Sequence, residues 1–262
     1  MPRPERTRDL VAAGDARIEV IAEGAGLLVV LLPSRGRDSE DYDEVAAGIA
    51  KAGYRVLRPQ PRGTCRSTGP MTGLTLHDFA RDVAVVIAHA DGGPAVVAGH
   101  AFGNWVARMI AADHPRLVRG VAILAAAAKT YPRGLSEAVT KCADLTLADS
   151  ERLEYLRATF FAPGHDASVW LKGWYPDVNA SQFAAGRATR QEEWWGAGRA
   201  PLLDLQAALD PFKPRETTNE LKEEFGERVT IAVIADASHA LIPEQPAAVV
   251  AAIVAWIRTL RR

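Results

Sequence analysis

The chain alternates between short apolar runs, bounded by Gly or Pro, and amphipathic stretches of helical length. This alternation is typical of βαβ units and predicts an α/β fold with a mostly parallel central sheet flanked by helices. Strands are predicted at residues 18–22, 27–32, 55–57, 95–98, 121–124, 201–206 and 229–234. Helices are predicted at about 41–52, 75–90, 102–113 and 245–259.

The alternation stops between about residues 129 and 199, where aromatic, charged and helix-forming residues replace the buried runs. Open α/β sheets bind ligands at the carboxyl ends of their strands, so an inserted helical segment predicts a cap over that edge. We therefore expect a core formed by residues 1–128 and 200–262 and a helical cap formed by residues 129–199.

Composition excludes several classes of function. The 31 Lys and Arg residues balance 32 Asp and Glu, a net charge of −1, whereas a nucleic-acid groove requires clustered excess Lys and Arg. The apolar runs are shorter than the ~20 residues that span a bilayer, and residues 1–6 lead into no apolar signal segment. The sequence predicts a cytoplasmic protein that binds neither nucleic acid nor membrane, and a homodimer is left open.

The cysteine and histidine spacings point to no metal or cofactor. Cys65 and Cys142 are far apart and form no CxxC pair, so neither a disulfide scaffold nor a zinc site is predicted. No pair of histidines has a metal-binding spacing such as HExxH. Cys65 is expected to be a small buried apolar residue.

One short motif carries the chemistry. The apolar strand at 95–98 is followed by Gly99-His100-Ala101-Phe102-Gly103, which opens a helix. This is G-x-A-x-G where a nucleophile elbow has G-x-S-x-G. A strand that turns sharply into a helix brings its backbone so close that only glycine fits on either side of the apex. The central residue, here Ala101, is then placed at the tip of the turn. His100 is expected to point sideways and to pack.

With this motif the chain resembles the α/β-hydrolase superfamily, and the resemblance covers most of the chain outside the predicted cap. Residues 31–36 resemble the family's apolar strand and oxyanion loop, and residues 53–56 and 61–67 resemble its A-G-Y-x-V…D-x-R-G-x-G-x-S stretch. Residues 208–211 resemble its acid loop and residues 236–239 its histidine loop. The resemblance implies a nucleophile–acid–histidine triad at Ala101, Asp210 and His239.

The resemblance also assigns roles. His239 would be the general base, Asp210 would hold its tautomer, and the backbone N–H groups of Arg35 and Phe102 would form the oxyanion hole. Asp204 and Asp236 compete with Asp210 for the acid position. Further residues are expected to contact substrate, namely Ser34, Trp105, Trp194 and Trp195.

The chain departs from the family pattern at two positions. Pro33-Ser34 replaces the usual His-Gly, which leaves the backbone donors in place. Ala101 has no nucleophilic atom, so no acyl-enzyme can form there. Three hypotheses follow: an ester or lactone hydrolase with Ala at the nucleophile position, whether engineered or natural; a nucleophile-free His/Asp enzyme such as a lyase; or a non-catalytic ligand binder. None of the three implies a cofactor.

The predicted cap suggests the size and polarity of the substrate. Four of the six tryptophans lie in it, at positions 170, 174, 194 and 195. Ligand pockets are mostly apolar with a few polar groups, so an aromatic lid favours a small apolar or aromatic substrate. The alternative is that these rings hold the cap on the core.

Overall fold

The computed structural model describes residues 6–132 and 134–260. Within these ranges the chain forms one eight-stranded sheet in the order β1-β2-β4-β3-β5-β6-β7-β8. The strands are Arg6–Ala13 (β1), Ala16–Gly24 (β2), Leu27–Leu32 (β3), Tyr54–Pro59 (β4), Ala95–His100 (β5), Val118–Leu124 (β6), Leu202–Ala207 (β7) and Val229–Ile234 (β8). The helices are Asp43–Lys51 (α1), Leu76–His89 (α2), Phe102–Asp113 (α3), Leu135–Ala143 (α4), Asp149–Thr159 (α5), Pro176–Ala188 (α6), Gln191–Trp194 (α7), Glu220–Phe225 (α8), Leu241–Glu244 (α9) and Pro246–Ile257 (α10).

The sheet is parallel from β4 across to β8, and only β1 and β2 run antiparallel to their neighbours. The central strands β3 and β5 are continuous apolar runs because helices cover both faces of the sheet. The predicted α/β architecture is confirmed. The strand β1 was not predicted.

Two apolar cores lie on opposite faces of the sheet, because successive side chains of a strand point to opposite sides. Val30 and Val97 pack with the apolar residues of α2 and α3 on one face. Val29 and Val96 pack with those of α1 and α10 on the other. This packing fixes the carboxyl ends of β3, β5, β7 and β8 relative to one another.

The chain between β6 and β7 is helical and contains α4 to α7. Among its described residues, the β-structure is limited to a single bridge between Trp174 and Arg37. A third apolar cluster joins rings of this segment, including Phe160 and Trp170, to Phe212 and Ala240 of the core. The segment thus packs over the carboxyl edge of the sheet. The boundaries of the cap at 129 and 199 stay a prediction.

A buried arginine ties this helical segment to the core. Arg37 forms a two-point ion pair with Asp41 and donates to the backbone carbonyl of Lys172 at 2.9 Å. Its guanidinium carbon lies 4.6 Å and 4.8 Å from the ring centres of Trp170 and Trp174. A guanidinium with a carboxylate partner and aromatic faces can be buried without an unpaired charge. These two tryptophans therefore hold the segment in place.

The two cysteines differ in environment. Both are free, and Cys142 is buried. Cys65 is exposed, which corrects the expectation that it is buried. Its backbone has φ of 48°, and its Sγ lies 3.6 Å from the hydroxyl of Tyr175.

No helix among the described residues is long and apolar enough to cross a membrane. The sequence prediction about a signal segment rests mainly on residues 1–5, which lie outside the described ranges.

Candidate active site

The turn from β5 to α3 has the geometry of a nucleophile elbow. Ala101 has φ of 47° and ψ of −114°, a conformation that L-residues rarely adopt. A Cβ atom at Gly99 would lie 2.1 Å from the carbonyl oxygen of Gly103, and one at Gly103 would lie 2.4 Å from the carbonyl oxygen of Leu32. Glycine is thus required at both positions, and the apex is held in place although its side chain is a methyl group.

The loops after β7 and β8 bring Asp210 and His239 together. Nδ1 of His239 lies 2.9 Å and 3.0 Å from the two carboxylate oxygens of Asp210. Both side chains are almost fully buried. A carboxylate can only accept, so Nδ1 of His239 carries a proton, and in the neutral imidazole the lone pair is on Nε2. The backbone N–H of Phe212 also donates to Asp210 at 2.8 Å, which fixes the carboxylate.

Three contacts hold the histidine loop itself. Nε2 of His100 donates to the backbone carbonyl of His239 at 2.6 Å. The backbone N–H of Ser238 donates to Glu244 at 2.7 Å, and the Ser238 hydroxyl donates to the carbonyl of Leu209 at 3.1 Å. Burial lowers the pKa of His100 to about 3, so its ring is neutral and its proton stays on the nitrogen that supports His239. His100 is buried, as expected for a packing residue.

The structure distinguishes Asp210 from its two sequence competitors. Asp204 lies within β7, is fully buried and accepts from Gln206 at 2.8 Å. Asp236 is exposed and lies 3.3 Å from Nε2 of His165. Among these three carboxylates, Asp210 is the one that contacts His239.

A cavity opens above the elbow. It has a volume of about 460 Å³, part of which is open to solvent. Its lining comprises Ser34, Arg35, Ala101, Phe102, Trp105, Ala127, Tyr131, Ser136, Val139, Phe160, Phe212 and His239. The lining is mostly apolar, with a few polar groups placed among the rings, as in small-molecule sites.

The predicted site residues separate into two groups. Ala101, Arg35, Phe102, Ser34, Trp105 and His239 all line this cavity, and Asp210 lies behind His239. Trp194 and Trp195 are absent from the lining, which corrects their prediction as pocket walls. Trp194 stacks on the outer face of Trp105 at 5.0 Å, and Trp195 packs over the guanidinium of Arg108 at 4.6 Å. Their aromatic surface is used to pack the segment against α3.

The sequence analysis missed most of the cap side of the cavity. Tyr131, Ser136 and Phe160 come from the helical segment, and Phe212 follows the acid position. The Phe212 ring lies 4.2 Å from the His239 ring, centre to centre. Only the position of Phe212, two residues after the predicted acid, gave a sequence signal. The others depend on how the segment docks.

The electrostatics of the cavity are asymmetric. Arg35 donates to the backbone carbonyl of Ser136 at 3.0 Å, and its guanidinium carbon lies 5.0 Å from the ring centre of Phe183. Burial lowers the pKa of Arg35 to about 10, which leaves the group charged at neutral pH.

No cluster of three or more metal-ligating side chains occurs in the described part of the chain.

Comparison with known proteins agrees with this geometry. The family model described as alpha/beta hydrolase fold matches residues 28–246. The chain is 26% identical to pyrrolizixenacetamide deacetylase of Xenorhabdus hominickii over 74% of this chain and 71% of that protein. It is 33% identical to a non-heme chloroperoxidase of Streptomyces lividans over 38% of this chain and 37% of that enzyme. This second match, like others to haloperoxidase-type and epoxide hydrolase relatives, spans less than half of the relative's length.

Solved structures give the same result for the fold. The esterase from Exiguobacterium antarcticum superimposes with a TM-score of 0.81 at 17% identity, covering 95% of this chain and 99% of that one. Identity at this level is informative about the fold alone. The family match covers most of the chain. The elbow, the acid loop and the histidine loop lie at the carboxyl edge of the central sheet. The chain therefore belongs to the α/β-hydrolase family.

Proposed function

We propose that this chain is a hydrolase-type enzyme that acts on a small apolar or aromatic ester or lactone. The observation that carries the proposal is the buried pair of His239 and Asp210, 2.9 Å apart, bordering the same cavity as the elbow. A histidine held by a buried carboxylate with its free nitrogen on a cavity is the arrangement of a general base.

The nucleophile in this proposal is a water molecule, because Ala101 supplies none. Nε2 of His239 takes a proton from the water as the water oxygen bonds to the carbonyl carbon. The acyl C–O bond then breaks, and His239 returns the proton to the departing alcohol oxygen. No covalent enzyme intermediate forms, so a reactive ester or a strained lactone suits the site best.

The oxyanion that develops in this step has donors at the elbow. Phe102 is the first residue of α3, where backbone N–H groups lack partners within the helix. Arg35 follows β3 and lines the same cavity. We assign the two backbone N–H groups as the oxyanion hole, a function that does not depend on either side chain. Ser34 and Trp105 are assigned as substrate contacts.

Ala101 also favours a second candidate, a proton transfer or elimination that needs a base and no nucleophile. The same His239–Asp210 pair would take a proton from an acidic carbon of the substrate. The two candidates differ in their products, since hydrolysis incorporates solvent oxygen and elimination does not.

The direct test is turnover by the unaltered chain. We expect measurable hydrolysis of phenyl acetate or dihydrocoumarin, with incorporation of ¹⁸O from labelled water, and loss of this activity in His239→Ala. His89→Ala is the matched control, because His89 is an exposed histidine far along α2. Activity that survives His239→Ala would refute the proposal. Ligand binding by the unaltered chain without turnover would also refute it and would favour the hypothesis of a non-catalytic ligand binder.

A second test separates a retained hydrolase site from a rebuilt one. Ala101→Ser should react once with a fluorophosphonate at position 101, and the unaltered chain should not react there. Intact mass and peptide mapping measure the adduct. A folded Ala101→Ser protein that forms no adduct would show that the donors and the base no longer serve an elbow nucleophile.

A cytoplasmic location and a homodimer stay predictions of the sequence.

A further inference from the structure

A positively charged side chain without an anionic partner faces the candidate active site. Arg35 lines the cavity, yet it forms no ion pair with any of the described carboxylates. Its only hydrogen bond to a described residue goes to a backbone carbonyl, that of Ser136. The Nε atom of Arg35 is buried and has no hydrogen-bond partner.

A partly buried guanidinium without an ion pair is costly in a folded chain when one of its donors is cut off from water. Buried charges in proteins are normally paired, and a buried donor without an acceptor costs about 1–3 kcal/mol or more. Three buried arginines follow that rule: Arg37 pairs with Asp41, Arg58 with Glu23 and Arg62 with Asp82. A fourth, Arg108, has no ion pair among the described residues; its guanidinium packs on the ring of Trp195 and donates to the backbone carbonyl of that residue. Arg35 also lacks an ion pair among the described residues and, unlike Arg108, it lines the cavity, where a ligand can supply the missing anion.

The neighbours of Arg35 add hydrogen-bonding capacity beside the charge. The hydroxyls of Tyr131 and Ser136 lie 2.9 Å apart and both residues line the cavity. The remaining walls, including Val139, Phe160 and Phe212, are apolar. The cavity therefore has a basic, hydroxyl-bearing side in addition to the side that holds His239.

We propose that Arg35 forms a carboxylate-binding subsite, so that the substrate of this chain is an ester or lactone bearing a carboxylate. This inference rests on the proposed function only for the ester or lactone bond of the substrate. The carboxylate-binding subsite itself is tested by binding and does not require turnover. A carboxylate presents two oxygens, which suits one free guanidinium edge and a neighbouring hydroxyl.

The probe pair is phenylacetate and phenylacetamide, which share shape and differ in charge. Titrations at constant ionic strength would follow the indole N–H of Trp105, which lines the cavity. A charge-assisted hydrogen bond predicts that phenylacetate binds about ten- to a hundredfold more tightly than the amide. Equal affinities for the two compounds would overturn the proposal.

Two variants assign the preference to the guanidinium. Arg35→Gln keeps the backbone N–H and should abolish the preference for phenylacetate. Arg187→Gln is the matched control, because Arg187 is exposed and lies 6.0 Å from the same Phe183 ring without lining the cavity. A preference that persists in Arg35→Gln, or that is lost equally in Arg187→Gln, would place the anion elsewhere and overturn the assignment.

One measurement of the subsite is made on the unaltered chain, by NMR, and uses an arginine variant only for assignment. The Nε–H resonance of Arg35, assigned by its disappearance in Arg35→Lys, should shift downfield with phenylacetate and not with phenylacetamide. Absence of that shift would overturn the proposal even if Arg35→Gln fails to fold. Binding without turnover would refute the proposed hydrolysis and leave the subsite intact, so the two failures are distinguishable.

Discussion

Exchanging the buried acid for its amide, Asp210→Asn, should remove the base without disturbing its position. The carboxylate of Asp210 accepts from both Nδ1 of His239 and the backbone N–H of Phe212. An asparagine has one acceptor and one donor, and the fixed N–H of Phe212 requires the acceptor. The amide NH₂ would then face Nδ1 of His239, which must become an acceptor. The proton moves to Nε2, and the lone pair that faces the cavity is lost.

The magnitude follows from that change of tautomer. The same exchange in a serine-protease triad lowers kcat by about 10⁴, which corresponds to about 5 kcal/mol of barrier. We expect a comparable loss of kcat here, because both side chains of the Asp210–His239 pair are buried. The carboxylate is also held from two sides, by His239 and by the backbone N–H of Phe212. Folding should be little affected, since the shape of the side chain is kept.

The assay uses the Ala101→Ser background, in which the labelling rate reports base activity directly. The second-order rate constant with a fluorophosphonate should fall by about 10³ to 10⁴ when Asp210→Asn is added. Asp204→Asn is the matched control, a buried aspartate of the adjoining strand β7 that does not contact His239. A loss smaller than tenfold, or an equal loss with Asp204→Asn, would refute the tautomer argument.

Three further predictions concern stability, each measured by urea denaturation. Ala101→Gly should leave the free energy of unfolding unchanged or raise it by about 1 kcal/mol. The reason is that relief of ~1–3 kcal/mol of backbone strain at φ 47° equals or exceeds the entropic cost of glycine. The control Ala107→Gly, inside α3, should lower the free energy of unfolding by about 1 kcal/mol or more. Gly103→Ala should lower it by more than about 2 kcal/mol, since the new Cβ meets backbone at 2.4 Å. Gly14→Ala has open space around the new Cβ and should lose only about 1 kcal/mol, the cost of an alanine at φ of 63°. The low pKa of His100, about 3, means that the unfolded chain binds a proton that the folded chain excludes, so stability is complete above about pH 6.5 and falls with pH below it. His100→Gln, which keeps a donor for His239, should reduce that slope by up to about 1.4 kcal/mol per pH unit.

Each of these has a contrary result. Equal destabilisation by Ala101→Gly and Ala107→Gly would mean that the elbow is unstrained. A Gly103→Ala protein as stable as Gly14→Ala would mean that the strand and helix can separate at the turn. An unchanged pH slope in His100→Gln would mean that another group governs the acid sensitivity between pH 6.5 and 5.

The fold was predictable from the sequence because each buried strand is an apolar run with Gly or Pro at its ends. The exception, β1, shows the limit of that signal. Half of its residues, RTRDLVAA, are polar and half are exposed, because β1 is an edge strand that pairs only with β2. A polar edge strand differs little from a loop in composition. The antiparallel hairpin with Gly14 at its turn identifies it only once the pairing is seen.

The two halves of the site were predictable to different degrees. Ala101, Asp210 and His239 each follow a strand, so the parallel sheet brings them to one edge whatever the rest of the chain does. Tyr131 and Ser136, from the helical segment between β6 and β7, reach the cavity only through the docking of that segment. Aromatic content alone cannot tell a ring that faces a cavity from one that packs against a helix, which is why Trp194 and Trp195 were misplaced.

The loss of a hydroxyl at position 101 removes one of three contributions to acyl transfer and leaves the other two. The base is held by Asp210 and the loop by His100, and neither contact involves the apex side chain. The proposed oxyanion donors are backbone groups, and the glycine contacts fix the turn that carries one of them, the N–H of Phe102. Triads without their nucleophile retain about 10³ to 10⁴ over the uncatalysed rate. A rate enhancement in that range, dependent on His239, is therefore what water activation at this elbow should give, and one above about 10⁶ would require a nucleophile from another residue of the cavity.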